Sequence, residues 1–485
     1  MKHYKIIFIL FLSLIITSCK NDKNSSDTAE ESKPKNVLFI AVDDLKPLLG
    51  CYGDSIVKTP NIDKLASQGF VLENNHCQQA VCGPSRASIL TGKRPDYTQI
   101  WDLKTLIRDK NPDIVTMPQY FKQNGYETVA VGKIFDFRSV DKGNDSISWS
   151  NKYDNFKHHS EIGREYVNET ERVSYEIVDV PDSLTADGEV ARRTINFLRD
   201  LATKDKPFFM AAGFYKPHLP FIAPRKYWDL YEDKLELPEF RQAPEGAPSY
   251  ATQPSWELRS GYVDIPKDFD VEIPEEKQKT LLQGYYACAS FVDAQIGKVL
   301  DELDRLGLRD NTIIVLWGDH GYHLADHDMW CKHTNYEQST KTPLIFSGNG
   351  ISGSIATPTE FVDVYPTLCD MAGIKTPENL DGVSLTPLFE NKTEKVKDFA
   401  VSQFPREENK MGYAFRNDRY RYVVWFNDEK PFETSRTFDE SKIDAEEFYD
   451  YQTDPEERKN LINEVDYQAA KEALKTQAKA FFNKL

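Results

Sequence analysis

Cys82 opens the run Cys82-Gly83-Pro84-Ser85-Arg86, and Leu90-Thr91-Gly92 follows it. Pro84 suits the first turn of a helix, where its missing N–H would be orphaned anyway. The group at position 82 then sits at a helix N-terminus, where backbone N–H groups favour an anion. Arg86, one turn on, can neutralise negative charge formed there. A buried structural cysteine ahead of a capped helix is the plain alternative. Elsewhere, Asp43-Asp44 and Asp319-His320 each follow an apolar run. Two adjacent carboxylates facing an Asp-His pair make a hard, oxygen-rich set that suits Ca²⁺ or Mg²⁺ better than Zn²⁺. Taken alone, Asp-Asp after a strand is ordinarily a turn or a cap. His218 ends a third such stretch after Lys216-Pro217, which aims it into a site rather than into solvent.

These residues need elements to bring them together. Val37 to Val42 leads into Asp43-Asp44, Thr128 to Val131 into Gly132-Lys133, Phe208 to Phe214 into Tyr215-Lys216-Pro217-His218, and Thr312 to Trp317 into Gly318-Asp319-His320. Continuous apolar runs of this length fit strands buried on both faces of a parallel sheet. Helical patterns lie between them, at Asp63 to Gln68, Met117 to Asn124, Ala191 to Leu201 and Lys277 to Leu306. The alternation predicts an α/β sheet flanked by helices, with ligands bound beyond the carboxyl ends of the strands. The four polar clusters should therefore meet at one site. Leu237 to Pro274, rich in proline, acidic and aromatic residues, reads as a long surface insertion that could wall a cleft. A boundary after Phe389 precedes short strands at Asp398 to Phe404, Gly412 to Phe415 and Tyr420 to Phe426. A last helix is expected from Val465 to Phe482, completing a small C-terminal α+β unit.

Of the 485 residues, 40% are hydrophobic and 12% aromatic, a globular composition. The formal net charge is −17, which excludes nucleic acid as an electrostatic partner. Any anionic substrate must be held by a local cluster of cations inside an acidic shell. Seven cysteines show no small-domain disulfide framework, although individual bridges remain open. At the N-terminus, Lys2 and Lys5 precede the apolar run Ile6 to Ile16, which is short for a bilayer span and placed like a signal peptide. Ile16-Thr17-Ser18-Cys19 resembles the lipobox of bacterial lipoproteins, which are cut before the cysteine and acylated on it. Asn21 to Lys35 then reads as a polar tether. An ordinary signal peptide with a chance cysteine is the alternative. The lipoprotein reading puts the chain in the bacterial cell envelope, in the periplasm or at the outer membrane, with the membrane as partner through Cys19.

The pattern Cys-x-Pro-x-Arg followed by Leu-Thr-Gly resembles the signature of type I sulfatases, and the resemblance runs through most of the chain. The iduronate-2-sulfatase branch is the nearest in pattern, on Asn36 to Leu45, Gly50-Cys51-Tyr52-Gly53-Asp54, Pro60-Asn61-Ile62-Asp63, Gln79-Ala80-Val81-Cys82, Tyr215-Lys216-Pro217-His218, Val362 to Leu368, and Tyr449-Asp450 with Thr453-Asp454-Pro455. The resemblance implies an alkaline-phosphatase-like fold: a large central mixed, mostly parallel sheet flanked by helices, plus the C-terminal subdomain. It implies the division 1–18 signal peptide, 19–35 lipid-anchored linker, 36–390 catalytic domain and 391–485 C-terminal subdomain. In that family the cysteine is oxidised by a maturase to formylglycine (3-oxoalanine), whose hydrated aldehyde attacks sulfur. That maps the nucleophile to Cys82, with Arg86 beside it. A divalent cation, usually Ca²⁺, maps to Asp43, Asp44, Asp319 and His320 with the oxygen at position 82. Sulfate contacts map to Lys133, His218 and Lys332.

One position departs from the pattern. The family usually carries His three residues after the Lys of Gly-Lys, and here Asp136 stands there. A carboxylate beside a sulfate would repel it, so Asp136 is expected to turn away or to bind a sugar hydroxyl. His323 and His327 lie near enough in sequence to substitute, or are plain structural histidines. The expected substrate is a sulfated polysaccharide or its oligosaccharides, algal ones such as ulvan first. The alternatives are a glycosaminoglycan sulfatase of the iduronate-2 type, a phosphatase or phosphonate hydrolase of the same superfamily, and a sugar-binding lipoprotein without catalysis.

Overall fold

The computed structural model describes residues 35–151, 153, 172–407, 409–427 and 437–484. The expected leader, Cys19 and all of the 19–35 linker except Lys35 lie outside the described residues. From position 34 onward the chain is one compact unit.

Seven strands form the central sheet: β1 (Asn36–Val42), β2 (Gly69–His76), β3 (Glu127–Gly132), β4 (Phe208–Phe214), β5 (Thr312–Gly318), β6 (Leu344–Ser347) and β7 (Gly353–Glu360). Their order is β7-β2-β6-β5-β1-β4-β3, and β6 alone runs antiparallel to its neighbours. The sheet is therefore mixed and mostly parallel. The four apolar runs read from sequence become the adjacent parallel quartet β5-β1-β4-β3. Within β1, Val37, Phe39 and Ala41 enter one core while Leu38, Ile40 and Val42 enter the other. Period-two alternation with apolar residues on both faces is what a sheet covered on both sides demands.

Helices supply the cover. On one side lie α2 (Cys82–Thr91) and α5 (Val364–Ala372), and on the other α1 (Pro60–Ser67), α3 (Ala186–Leu201) and α4 (Glu275–Arg305). Ala87, Ile89 and Leu90 of α2 and Tyr365 and Leu368 of α5 pack into the first core. Leu198 of α3 and Val292, Ile296 and Val299 of α4 pack into the second.

A second sheet of four antiparallel strands follows: β8 (Ala400–Arg406), β9 (Lys410–Arg416), β10 (Tyr420–Asn427) and β11 (Ile443–Asp450), with α6 (Gln468–Phe482) across it. The stretch Leu237 to Pro274 is more than a surface insertion. Ala251, Leu258, Tyr262, Ile265 and Ile273 are buried in it, and the last four join Leu281 and Tyr285 of α4 in a third core. The six described cysteines are all free.

Candidate active site

Four strand ends converge because the quartet is parallel. Val42 pairs with Phe214 on one side and Gly318 on the other, and Gly132 pairs with Gly213. Asp43-Asp44, Asp319-His320, Lys133 and the Tyr215–His218 turn therefore leave the sheet along one edge. Gly132 takes φ +74°, and a Cβ there would lie 2.1 Å from the carbonyl oxygen of Gly213. Only glycine lets these two backbones approach closely enough to bring Lys133 inward.

Helix α2 brings the remaining parts. Cys82 is its first residue, and all ten of its residues are buried. Arg86 is fully buried, and its Nε donates to Asp319 Oδ2 at 3.0 Å while Nη2 donates to Asp43 Oδ1 at 3.0 Å. Nη1 donates to the carbonyl oxygens of Lys133 and Ile134. One guanidinium thus ties three strand ends together. Lys133 Nζ donates to the other Asp43 oxygen at 2.7 Å. Burial opposes ionisation of Asp43, but Lys133, His218 and Arg86 hold it well below the carboxylate range.

Asp44, Cys82, Asp319 and His320 each offer one ligand atom, all within 4.8 Å of one another. The His320 Nδ1–H donates to the Gly321 carbonyl at 2.9 Å, so Nε2 turns its lone pair inward, 3.4 Å from Cys82 Sγ and 3.3 Å from Asp44 Oδ1. Two carboxylates, an imidazole and the group at 82 suit a divalent cation. Asp43 lies beside this set and clusters with Cys82 and His218 instead, both its oxygens already held by cations. Burial pushes the Cys82 thiol well above its usual value, against the pull of Lys133 and Lys332, so the unmodified thiol is a poor thiolate nucleophile.

Lys332 Nζ bridges Asp44 Oδ1 at 2.8 Å and Glu257 Oε2 at 3.0 Å. His218 Nε2 lies 3.3 Å from Glu257 Oε1 and 3.9 Å from Asp44 Oδ2, and its Nδ1–H donates to the Leu219 carbonyl at 2.6 Å. Its turn is held from behind. Asp187 of α3 accepts the backbone N–H groups of Tyr215 and Lys216 at 2.7 and 2.9 Å, and Lys216 Nζ donates to the carbonyls of His218 and Pro220. Lys332 and Lys133 are buried, whereas the side chains of His218 and Glu257 keep 20% and 24% exposure and mark the opening.

Every site residue expected from sequence therefore reaches this cluster. Glu257 was not anticipated. It sits on the short helix Trp256–Gly261, inside the stretch whose prolines and charges read as loop. Its only sequence signal is a carboxylate in a segment expected to wall the cleft. Asp136 neither turns outward nor stays bare: Arg138 covers it with Nη2 at 2.7 Å and Nε at 2.9 Å. Burial would raise Asp136, but the Arg138 hydrogen bonds and the Lys133 charge hold it down at about 2. His323 and His327 do not join the Cys82 cluster; they gather with Asp326 instead. The first is bound by Asp326 and Thr334, and the second reaches the Glu456 carbonyl at 2.6 Å.

Comparison with known proteins bears on this geometry. Residues 35–374 match the family described as Sulfatase, and residues 325–484 match the family described as N-sulphoglucosamine sulphohydrolase, C-terminal. Human iduronate 2-sulfatase is 32% identical, the match covering 94% of this chain and 96% of that one. A sulfatase of Formosa agariphila is 31% identical over 96% and 90% of the two chains, and an ulvan-active sulfatase of the same organism 27% identical over 98% and 85%. Among solved structures, a 2-O GAG sulfatase superposes with TM-score 0.70 at 23% identity over 93% of this chain and 92% of that one. A phosphonate monoester hydrolase from Silicibacter pomeroyi superposes with TM-score 0.74 at 22% identity over 93% and 95%. These two carry the fold alone, the alkaline-phosphatase-like architecture read above. With a nucleophile segment, a cation-ready donor set and paired lysines at one sheet edge, this chain belongs to the sulfatase family and is a sulfuric ester hydrolase.

Proposed function

We propose that this sulfatase removes sulfate esters from a sulfated polysaccharide or its oligosaccharides, algal ones such as ulvan foremost, and that its nucleophile is formylglycine made from Cys82 by a maturase. The carrying observation is Cys82 at the start of α2, within ligand distance of Asp44, Asp319 and His320 and between the charges of Lys133 and Lys332. The ulvan-active relative supports the algal substrate. The identity with human iduronate 2-sulfatase over nearly both chains supports a glycosaminoglycan sulfate as the second reading.

The donor set of Asp44, Asp319, His320 and the oxygen at position 82, with Asp43 beside it, fits Ca²⁺, with Mg²⁺ as the alternative, and a cation there would acidify a hydroxyl and polarise sulfate oxygens. The chain's own residues do the rest. Lys133 and Lys332 hold the sulfate as fixed charges, and Arg86 fixes Asp43 and Asp319 so that the strand ends do not spread. Hydrolysis breaks the S–O bond, and the departing sugar oxygen takes a proton. His218 delivers that proton from Nε2, at the opening beside Glu257, because Nδ1 is committed to Leu219.

Sulfate release from a panel of defined sulfated oligosaccharides tests the substrate. Mass spectrometry of the tryptic peptide containing residue 82 tests the nucleophile, because conversion to the aldehyde lowers the residue mass. An unconverted cysteine in fully active enzyme would sink the formylglycine reading. We also place the protein in the cell envelope, anchored through lipid on Cys19, a reading supported by the apolar run and small residues before it. Cys19→Ala should move the protein from the membrane to the soluble fraction, and unchanged fractionation would overturn the anchor.

A further inference from the structure

The segment after Lys133 carries a second cation that the hydrolysis itself does not use. The Asp136 side chain is fully buried, yet it faces Lys133 Nζ only at 3.8 Å. Its nearer partner is Arg138, clamped by three hydrogen bonds: backbone N–H and Nε to Oδ1 at 3.0 and 2.9 Å, and Nη2 to Oδ2 at 2.7 Å. The clamp leaves Nη1 uncommitted among the described residues, and the Arg138 side chain remains 42% exposed. Here the guanidinium is fixed in orientation with one edge presented outward.

The position matters. A Cβ on Gly83 would lie 2.6 Å from Ser139 Oγ, so the chain immediately after Arg138 runs against the backbone beside Cys82. Phe137, between the two charged residues, is 61% exposed, with its ring 5.5 Å from the Arg138 guanidinium carbon. Arg138 lies close enough to Cys82 and Asp43 to feel their charge, and the exposed aromatic next to it offers a flat apolar surface of the kind a sugar ring can cover. The guanidinium beside it offers two-pronged hydrogen bonds to a planar or tetrahedral oxyanion.

We infer that Phe137 and Arg138 form a subsite at the mouth of the active site for a second anionic group of the substrate, a sugar carboxylate or a further sulfate, with Asp136 as the residue that positions Arg138. The inference rests on the reading of a sulfated sugar as substrate. Because the clamp fixes the side chain beforehand, little rotamer freedom is lost on binding. Arg138 then selects among sulfated sugars and takes no part in breaking the S–O bond.

The test compares wild type, Arg138→Ala and Arg138→Lys on 4-nitrophenyl sulfate, on a 2-sulfated uronate disaccharide and its carboxyl-reduced form, and on a disulfated disaccharide and its monosulfated form. In wild type, removing the second anion should lower kcat/KM by about 10- to 100-fold, mostly through KM, as for loss of a charge-assisted hydrogen bond. In Arg138→Ala that discrimination should collapse towards unity, and Arg138→Lys should restore part of it. Whichever anion ceases to matter in the variant, carboxylate or sulfate, identifies the ligand. Discrimination that persists in Arg138→Ala, or is absent from wild type, overturns the subsite. So does wild type that hydrolyses the aryl sulfate but no doubly anionic sugar. Wild type that hydrolyses none of the five sends the failure back to the sulfatase reading itself.

Discussion

Two of the buried charge clusters among the described residues differ in what they leave over. Where the C-terminal sheet meets the rest of the chain, Glu337 accepts Arg416 Nε at 2.9 Å and Arg421 Nη2 at 2.8 Å. Arg421 also lies 3.4 Å from Glu457, whose other oxygen accepts the Glu337 backbone N–H at 2.9 Å. Two carboxylates meet two guanidinium groups and Lys341, 3.8 Å from Glu337, and each carboxylate oxygen has a partner. At the strand ends of the central sheet, Asp43, Asp44, Asp319 and Glu257 meet Arg86, Lys133 and Lys332. Four carboxylates meet three fixed cations and His218, and His320 Nε2 turns a lone pair into the same space. Burial of charge therefore does not mark the site, since both clusters have it. Unspent ligand capacity marks it, together with the opening at His218 and Glu257.

The sharpest way to break this contrast is to mutate both clusters. Cys82→Ala should lower sulfate release by at least about a thousandfold, the scale of losing a covalent nucleophile, with the thermal midpoint barely moved. Near-normal turnover by this variant would overturn the assignment of the nucleophile. Chelation should likewise abolish turnover, and Ca²⁺ or Mg²⁺ should restore it. Full activity after exhaustive chelation, with metal analysis showing none bound, would remove the cation from the site. Glu337→Ala should do the reverse. It takes the carboxylate from buried Arg416, leaves Arg421 only Glu457, and should cost about 3–5 kcal/mol of stability in urea titrations, as for breaking a buried pair. A fully stable Glu337→Ala would mean that this cluster does not hold the C-terminal sheet in place.

The same contrast explains what sequence could and could not disclose. The quartet β5-β1-β4-β3 was legible because strands buried on both faces must be apolar throughout, and their ends announced Asp43, Asp44, Lys133, His218, Asp319 and His320. Helices α3, α4 and α6 were legible from their periodicity, and their starts shifted by two to five residues, as helix ends read from pattern do; only α3 has a side-chain cap, Thr185 accepting from the Gly188 N–H. Strands β2, β6, β7 and β11 were not singled out. Gly69–His76 carries Glu and two Asn, Leu344–Ser347 is four residues long, and Ile443–Asp450 is polar along half its length. Glu257 was invisible for another reason. Its role arises from the path of an irregular segment folding back over the sheet edge, which no local pattern encodes. Asp136 could be read as an anomaly, but its resolution by Arg138 needed the turn geometry.

A smaller effect separates the two parts of the active cluster. His218 lies at the opening and Lys332 is sealed behind it, so the proton source and the sulfate clamp should come apart by leaving group. With an aryl sulfate, whose phenoxide departs with little protonation, a general acid becomes nearly dispensable. His218→Ala should therefore lose about a hundredfold more rate on a sugar sulfate than on an aryl sulfate. Equal losses on both would make His218 a sulfate-binding residue and leave the proton to another group.

The smallest predicted effect concerns Asp187, a buried carboxylate belonging to neither cluster. It has no ion pair among the described residues, and it is held by the backbone N–H groups of Tyr215 and Lys216. Burial raises its carboxyl to about 6, the two N–H groups and the Lys216 charge only partly opposing it. An unfolded aspartate titrates near 4, so between these values the folded state binds more protons than the unfolded state. The stabilisation is accordingly complete below about pH 4 and is lost as pH rises through 6. Between pH 5 and 7 this group alone should remove about 1 kcal/mol of stability. Asp187→Asn keeps an acceptor for one N–H but cannot titrate, so its urea midpoint should shift less over that interval than that of wild type. The difference between the two pH slopes isolates Asp187 from every other titrating group. Parallel slopes would mean that Asp187 stays ionised in the folded protein, its charge carried by the two N–H groups and Lys216, and the turn that presents His218 would then be held by a true anion rather than by a carboxyl poised to take up a proton.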